Sequence, residues 1–151
     1  MHTRVTLFFI ASCALSAGAA AQNNADSPAA VTCPAAADVS NARLFGPWQA
    51  QVDAGHGSAP RQATLNLERN PELSESLGGT ITRGATEALV AGDVDNGVFT
   101  LEESVDGNAI TATWTGQVVE GSCGREIRGV WKNVGDPTEH NFTLRKQASW
   151  Q

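Results

Sequence analysis

The chain lacks the motifs that announce a chemistry. It contains no Cys-x-x-Cys pair, zinc-binding motif, phosphate-cradling glycine loop or Gly-x-Ser-x-Gly nucleophile elbow. That excludes the common signatures of metal hydrolases, nucleoside triphosphate enzymes and α/β-hydrolases. Positive charge is scarce: ten Lys and Arg stand against sixteen Asp and Glu, a formal net charge of −6 with no basic stripe. Such a surface repels nucleic acid and anionic lipid, so neither is an expected partner. Beyond the first residues there is no long apolar run and no membrane span is expected, and no segment carries a convincing long helical period.

What is present begins with an address. Met1 to Arg4 is short and basic, Val5 to Leu15 is apolar, and Ser16 to Ala21 is built of small residues. That order reads as a secretory signal peptide over residues 1–21, cut after Ala21, which places the mature chain in a bacterial periplasm or outside the cell. Ile10-Ala-Ser-Cys13 resembles a lipobox, but the residues after Cys13 stay apolar, so ordinary cleavage is favoured over lipid anchoring at Cys13. Cleavage removes Arg4 and takes the charge from −6 to −7. It also leaves two cysteines, Cys33 and Cys123, which in an exported chain are expected to form a disulfide. That disulfide closes a loop of about ninety residues, worth roughly 4–5 kcal/mol at most in the chain-entropy picture.

Residues 22–43 are alanine-rich and broken by Ser27-Pro28 and Cys33-Pro34, an arm without strand alternation and expected to be disordered, with room for a helical turn or two between Ala35 and Arg43. Residues 44–147 behave differently. Apolar and polar residues alternate through Trp48-Ala50-Val52, Ala63-Leu65-Leu67, Leu77-Gly79-Ile81 and Leu89 to Asp93. The same alternation runs through Val98 to Glu103, Ile110-Ala112-Trp114-Gly116-Val118, Ile127-Gly129-Trp131 and Phe142-Leu144. Period two with one apolar face is the mark of a half-buried antiparallel strand. Asp95-Asn96-Gly97 and Asp106-Gly107 supply turn chemistry between strands. About eight strands in meander order suffice to close, and closure removes the exposed edges that invite aggregation. The expected fold is therefore all-β, a small antiparallel up-and-down barrel. Gly79 and Gly92 lie thirteen residues apart, as do Gly116 and Gly129, a spacing of one strand plus one turn.

Short patches resemble the avidin and streptavidin family. Gly46-Pro-Trp48, Leu77-Gly-Gly-Thr80, Ala112-Thr-Trp-Thr-Gly-Gln-Val118 and Ile127-Arg-Gly-Val-Trp131 are similar in type and order to that family's strands. The resemblance implies an eight-stranded barrel and, less specifically, extends to lipocalin-like barrels and small barrel-shaped hydrolase inhibitors. It does not carry biotin binding over. Ile110 and Ala112 stand where the family has polar ligands, Phe99 stands where it has a tryptophan, and tyrosine is absent from this chain.

Few residues remain as candidates for chemistry. Asp93-Val-Asp-Asn-Gly97 has the wrong order for a calcium loop and reads as a hairpin. His56 lies in a loop beside Asp53, and His140 lies next to Glu139 near the last strand. A metal site or acid–base pair needs them to converge in space, which spacing does not show, and solvated loop histidines are expected. Glu102 and Glu103 point to opposite faces of one strand and cannot act as a carboxylate pair by themselves. If Phe99 and Leu101 face inward, so does Glu103, and a buried carboxylate then needs a partner such as Arg83 or Arg128. Trp48, Trp114 and Trp131 all have inward parity; they fill a core or line a ligand pocket with Phe99, with Glu103 or Gln51 as its polar anchor. Asn141-Phe-Thr143 is a glycosylation sequon without a role in a bacterial chain. No cofactor or metal and no enzymatic activity are expected. The leading expectation is binding of a small apolar or amphipathic ligand within the barrel. The rival is a protein-interaction module, such as an inhibitor of a secreted hydrolase, with a packed core and a presented loop at 53–60 or 134–140.

Overall fold

The structure, a computed structural model, describes residues 32–55 and 57–148. The signal-peptide segment, Cys13 and His56 lie outside the described residues. Eight antiparallel strands follow in chain order: β1 (Gly46–Val52), β2 (Arg61–Arg69), β3 (Leu77–Arg83), β4 (Thr86–Asp95), β5 (Val98–Ser104), β6 (Ala112–Val118), β7 (Glu126–Asn133) and β8 (Glu139–Lys146). Each pairs with its sequence neighbours, and β8 returns to pair with β1, so the meander closes into a barrel. The closed eight-stranded meander agrees in architecture with the avidin and lipocalin barrels.

Alternation decides which side chains fill it. Trp48, Ala50 and Val52 on β1 are buried, as are Ala63, Leu65 and Leu67 on β2 and Phe99 and Leu101 on β5. The intervening residues face out, including the threonines of β6. Several strand boundaries differ from the sequence reading, those of β4 and β6 among them. β4 extends beyond Leu89–Asp93 because its ladders continue to Arg83↔Thr86 on one side and Asp95↔Val98 on the other. Its buried residues are Ala88, Val90 and Val94, while Leu89 is exposed. β6 starts at Ala112, and Ile110 is exposed in the preceding loop. There the Asp106 carboxylate accepts the backbone N–H groups of Asn108 and Ala109 at 2.9 Å, an Asx-type turn that holds the chain off the ladder until Thr111 N–H reaches the Glu103 carbonyl at 2.7 Å.

The glycine pairs serve packing. Gly116 and Gly129 sit directly opposite each other across β6 and β7. A Cβ on Gly129 would lie 2.1 Å from the Thr115 carbonyl oxygen, and one on Gly116 would meet the Phe142 ring at 2.9 Å. Gly79 and Gly92, at the same sequence spacing, are not opposite each other: Gly79 faces Val90 and Gly92 faces Leu101. The spacing therefore follows from the meander. Asn96 and Gly97, with φ of 48° and 78°, make the two-residue β4–β5 hairpin turn that Asp95-Asn-Gly97 predicts.

The two ends of the barrel are unlike. At the end where β1, β4 and β6 have Gly46, Asp95 and Val118, the preceding segment lies across the opening. A 3₁₀ turn (Ala36–Asp38) and a one-turn helix α1 (Asn41–Leu44) bury Val39 and Leu44. Asn41 locks this segment down: its amide donates to the Asp93 carboxylate at 3.0 Å, and its carbonyl oxygen accepts Val94 N–H at 2.7 Å. Arg43 donates to the Cys123 carbonyl at 2.9 Å, and Trp48 Nε1 donates to the Leu44 carbonyl at 2.7 Å. The Cys33–Cys123 disulfide, Cα atoms 4.7 Å apart, ties the same segment to the β6–β7 loop. A disulfide of this kind belongs to an oxidising compartment. Among the described residues no helix is long and apolar enough to cross a membrane.

Candidate functional site

The opposite end is open. The ends of β1 to β7 surround a concavity of about 310 Å³. Val52, Ala63, Val105 and Ala112 supply apolar wall, with Trp131 beside them; Gln62, Thr86, Thr111 and Asn133 supply polar groups. Arg61, Arg83 and Glu103 supply charge.

Glu103 sets the floor. It follows Phe99 and Leu101 on the inward face of β5 and is only 2% exposed. Its β6 neighbour is Ala112, small enough to leave space for the carboxylate, and Trp114 and Trp131 lie one inward position deeper, paired with each other across β6 and β7. Trp114 Nε1 donates to Glu103 Oε1 at 2.6 Å and Trp131 Nε1 donates to the same oxygen at 3.2 Å. Arg83, the last residue of β3 with the same parity as Leu77 and Ile81, reaches across β4. Its Nη1 donates to Oε2 at 2.8 Å and its Nη2 to Oε1, a two-pronged ion pair. The guanidinium lies 5.8 Å from the Trp114 ring centre and 5.6 Å from that of Trp131. A buried carboxylate is costly unless paired and hydrogen-bonded, and here both oxygens are engaged. No buried side-chain polar atom among the described residues is left without a partner.

Above this floor is a second cation. Arg61, the first residue of β2 and on the inward parity of Ala63 and Leu65, lies over the Trp131 ring at 5.0 Å, a cation–π contact. No ion pair or side-chain hydrogen bond holds it among the described residues. His140 lies beside the same indole, ring centres 5.7 Å apart. Asp136 is at the rim, its carboxyl held below the usual range by hydrogen bonds from Thr138, with His140 and Arg61 adding weaker attraction.

Of the residues singled out from sequence, Glu103, Trp131 and Trp114 come together, the first two lining the mouth and the third beneath it. Trp48 and Phe99 are fully buried toward the closed end and line no part of the concavity. Gln51 is on the outer face, because it alternates with the inward Ala50 and Val52. Arg128 pairs with Glu126 on the outside, which leaves Arg83 as the partner of Glu103. Arg61 went unnoticed in the sequence, although its parity with Ala63 was the signal that finds it. Asn133, Thr111 and Thr86 reach the mouth from strand ends and loops, where alternation carries no information.

No protein-family model matches the chain, and no curated protein is similar to it.

Proposed function

We propose that this is a non-enzymatic binding protein that takes one small amphipathic ligand in the open mouth of its barrel. The observation that carries this reading is the asymmetry of the ends: one is plugged by Leu44 and Trp48, while the other opens onto a concavity with apolar walls and a fixed polar floor. Ligand sites have this composition, a mostly apolar lining with a few well-placed polar groups, and about 310 Å³ lies at the small end of their range. The deep interior, filled by Trp48, Phe99 and Trp114, leaves the ligand in the vestibule and not along the barrel axis. Glu103 is spent on four donors and has no second carboxylate beside it in the lining, which favours binding over acid–base hydrolysis. The N-terminal pattern and the disulfide together support a periplasmic or secreted location.

Native mass spectrometry on protein isolated without denaturation from an oxidising compartment tests this reading. The expected spectrum carries one small-molecule mass increment that disappears on unfolding and is absent from Thr86→Trp, which covers the rim from an exposed position. A bare mass for the parent protein contradicts a tightly held ligand. It favours the rival, a protein-interaction module, for which Val105 and Val134, 57% and 59% exposed on open-end loops, are the contact residues.

A further inference from the structure

We infer that the ligand of the mouth is an anion: a free amphipathic molecule with a single carboxylate or sulfonate, whose charged end is held by Arg61 and Arg83. This rests on the mouth being a small-ligand site and adds the sign of the charge it selects.

Three observations lead there. First, the lining holds two guanidinium groups and one carboxylate, which leaves one positive charge in a protein whose net charge is −6. The cationic character is therefore local to this end. Second, the two signs are not equally available. Glu103 is 2% exposed and receives four donors, so an incoming cation finds no free carboxylate there. Arg83 is 30% exposed and spends two of its five N–H donors on Glu103. Arg61 spends none on a side chain among the described residues. Third, Arg83 is pinned by its ion pair with Glu103 and lies beside the Trp114 and Trp131 rings, whereas Arg61 rests on the Trp131 ring with no ion pair among the described residues. A guanidinium so placed keeps its donors for a carboxylate, which it binds in two-pronged fashion. The rim carboxylate of Asp136 is fully solvated and screened. Asn133, on the inward parity of Trp131, adds a hydrogen-bonding side chain beside the anion, and Val52, Ala63, Val105 and Ala112 receive the apolar body.

Two fluorescent probes of the same skeleton decide the matter: 1-anilinonaphthalene-8-sulfonate, an anion, and N-phenyl-1-naphthylamine, its neutral counterpart. Titration of the disulfide-bonded protein is expected to give saturable binding at one site, about tenfold tighter for the sulfonate. Arg61→Gln, a change at an exposed residue, is expected to keep the melting temperature and erase that preference. Equal affinity for the two probes, or tighter binding of the neutral one, overturns the anion inference while leaving the mouth as a ligand site. A sulfonate preference that survives Arg61→Gln also overturns it, because the anion is then held elsewhere. If neither probe saturates, the small-ligand reading itself fails.

Discussion

At the scale of single residues, the decisive feature is a carboxylate placed where strand alternation demands an apolar side chain. Glu103 is tolerated because two indoles and a guanidinium meet it, and none of the four groups is satisfied without the others. Glu103→Gln leaves Arg83 without its counter-charge and is expected to cost about 3 kcal/mol of stability, as is Arg83→Met. The double variant is expected to cost about 2 kcal/mol less than the sum of the singles, since each change removes what the other left stranded. Urea denaturation of the four proteins measures this; strict additivity would show that the pair contributes nothing as a unit. A second residue-scale expectation concerns acid. Backbone N–H groups of Asn108 and Ala109, with the Ser104 hydroxyl, hold the Asp106 carboxyl below its ordinary 3.8. A native pKa below the unfolded one favours the ionised carboxylate on folding. Its contribution is therefore full above pH 3.8 and lost as pH falls through the lower native value. Carboxyl-carbon NMR titration is expected to place the Asp106 midpoint below 3.8, with Asp136 moving the same way through Thr138.

At the scale of strands and turns, the fold depends on a few places where only hydrogen fits. Gly129→Ala puts a methyl into the Thr115 carbonyl and the Gly116 backbone, and strand β7 must shift away from β6 to admit it. The expected cost is about 3 kcal/mol, at the upper end for overpacking, whereas Gly121→Ala, with nothing near its Cβ but φ of +75°, is expected to cost about 1 kcal/mol. Thermal or urea melts compare them, and equal losses would remove the close approach as the cause. Strands were the most legible part of the sequence because period two survives on every one of them: Trp48-Ala50-Val52 and Phe99-Leu101-Glu103 read directly as inward faces. Where a side chain and not the ladder controls the backbone, the reading failed. Asp106 turns the chain back on itself and delays β6 past Ile110, and no apolar pattern records that. Thr86 to Ala88 went unread as strand because the polar Thr86-Glu87 pair hides the inward Ala88.

At the scale of the whole molecule, the difference between the two ends has a covalent and a polar cause. Cys33–Cys123 and the Asn41 hydrogen bonds pin one short segment over one opening, and nothing comparable among the described residues lies over the other. The site was half legible for the same reason. Parity placed Glu103 and Trp131 inside, and the need to pair a buried carboxylate offered Arg83 or Arg128, between which the sequence does not choose. Parity does not say which end of a barrel a residue occupies, so Trp48 and Phe99 were grouped with residues at the far end. Only the register of all eight strands separates them.

The central claim is the location of the site, and an NMR titration of the nitrogen-15-labelled protein with 1-anilinonaphthalene-8-sulfonate tests it most directly. Binding in the mouth is expected to shift the Trp131 indole N–H and the backbone amides of Gln62, Thr111 and Asn133. The Trp48 indole, bonded to Leu44 at the closed end, is expected to stay where it is. Shifts confined to the closed end or to the outer faces of the strands, with the Trp131 signal unmoved, would contradict the claim.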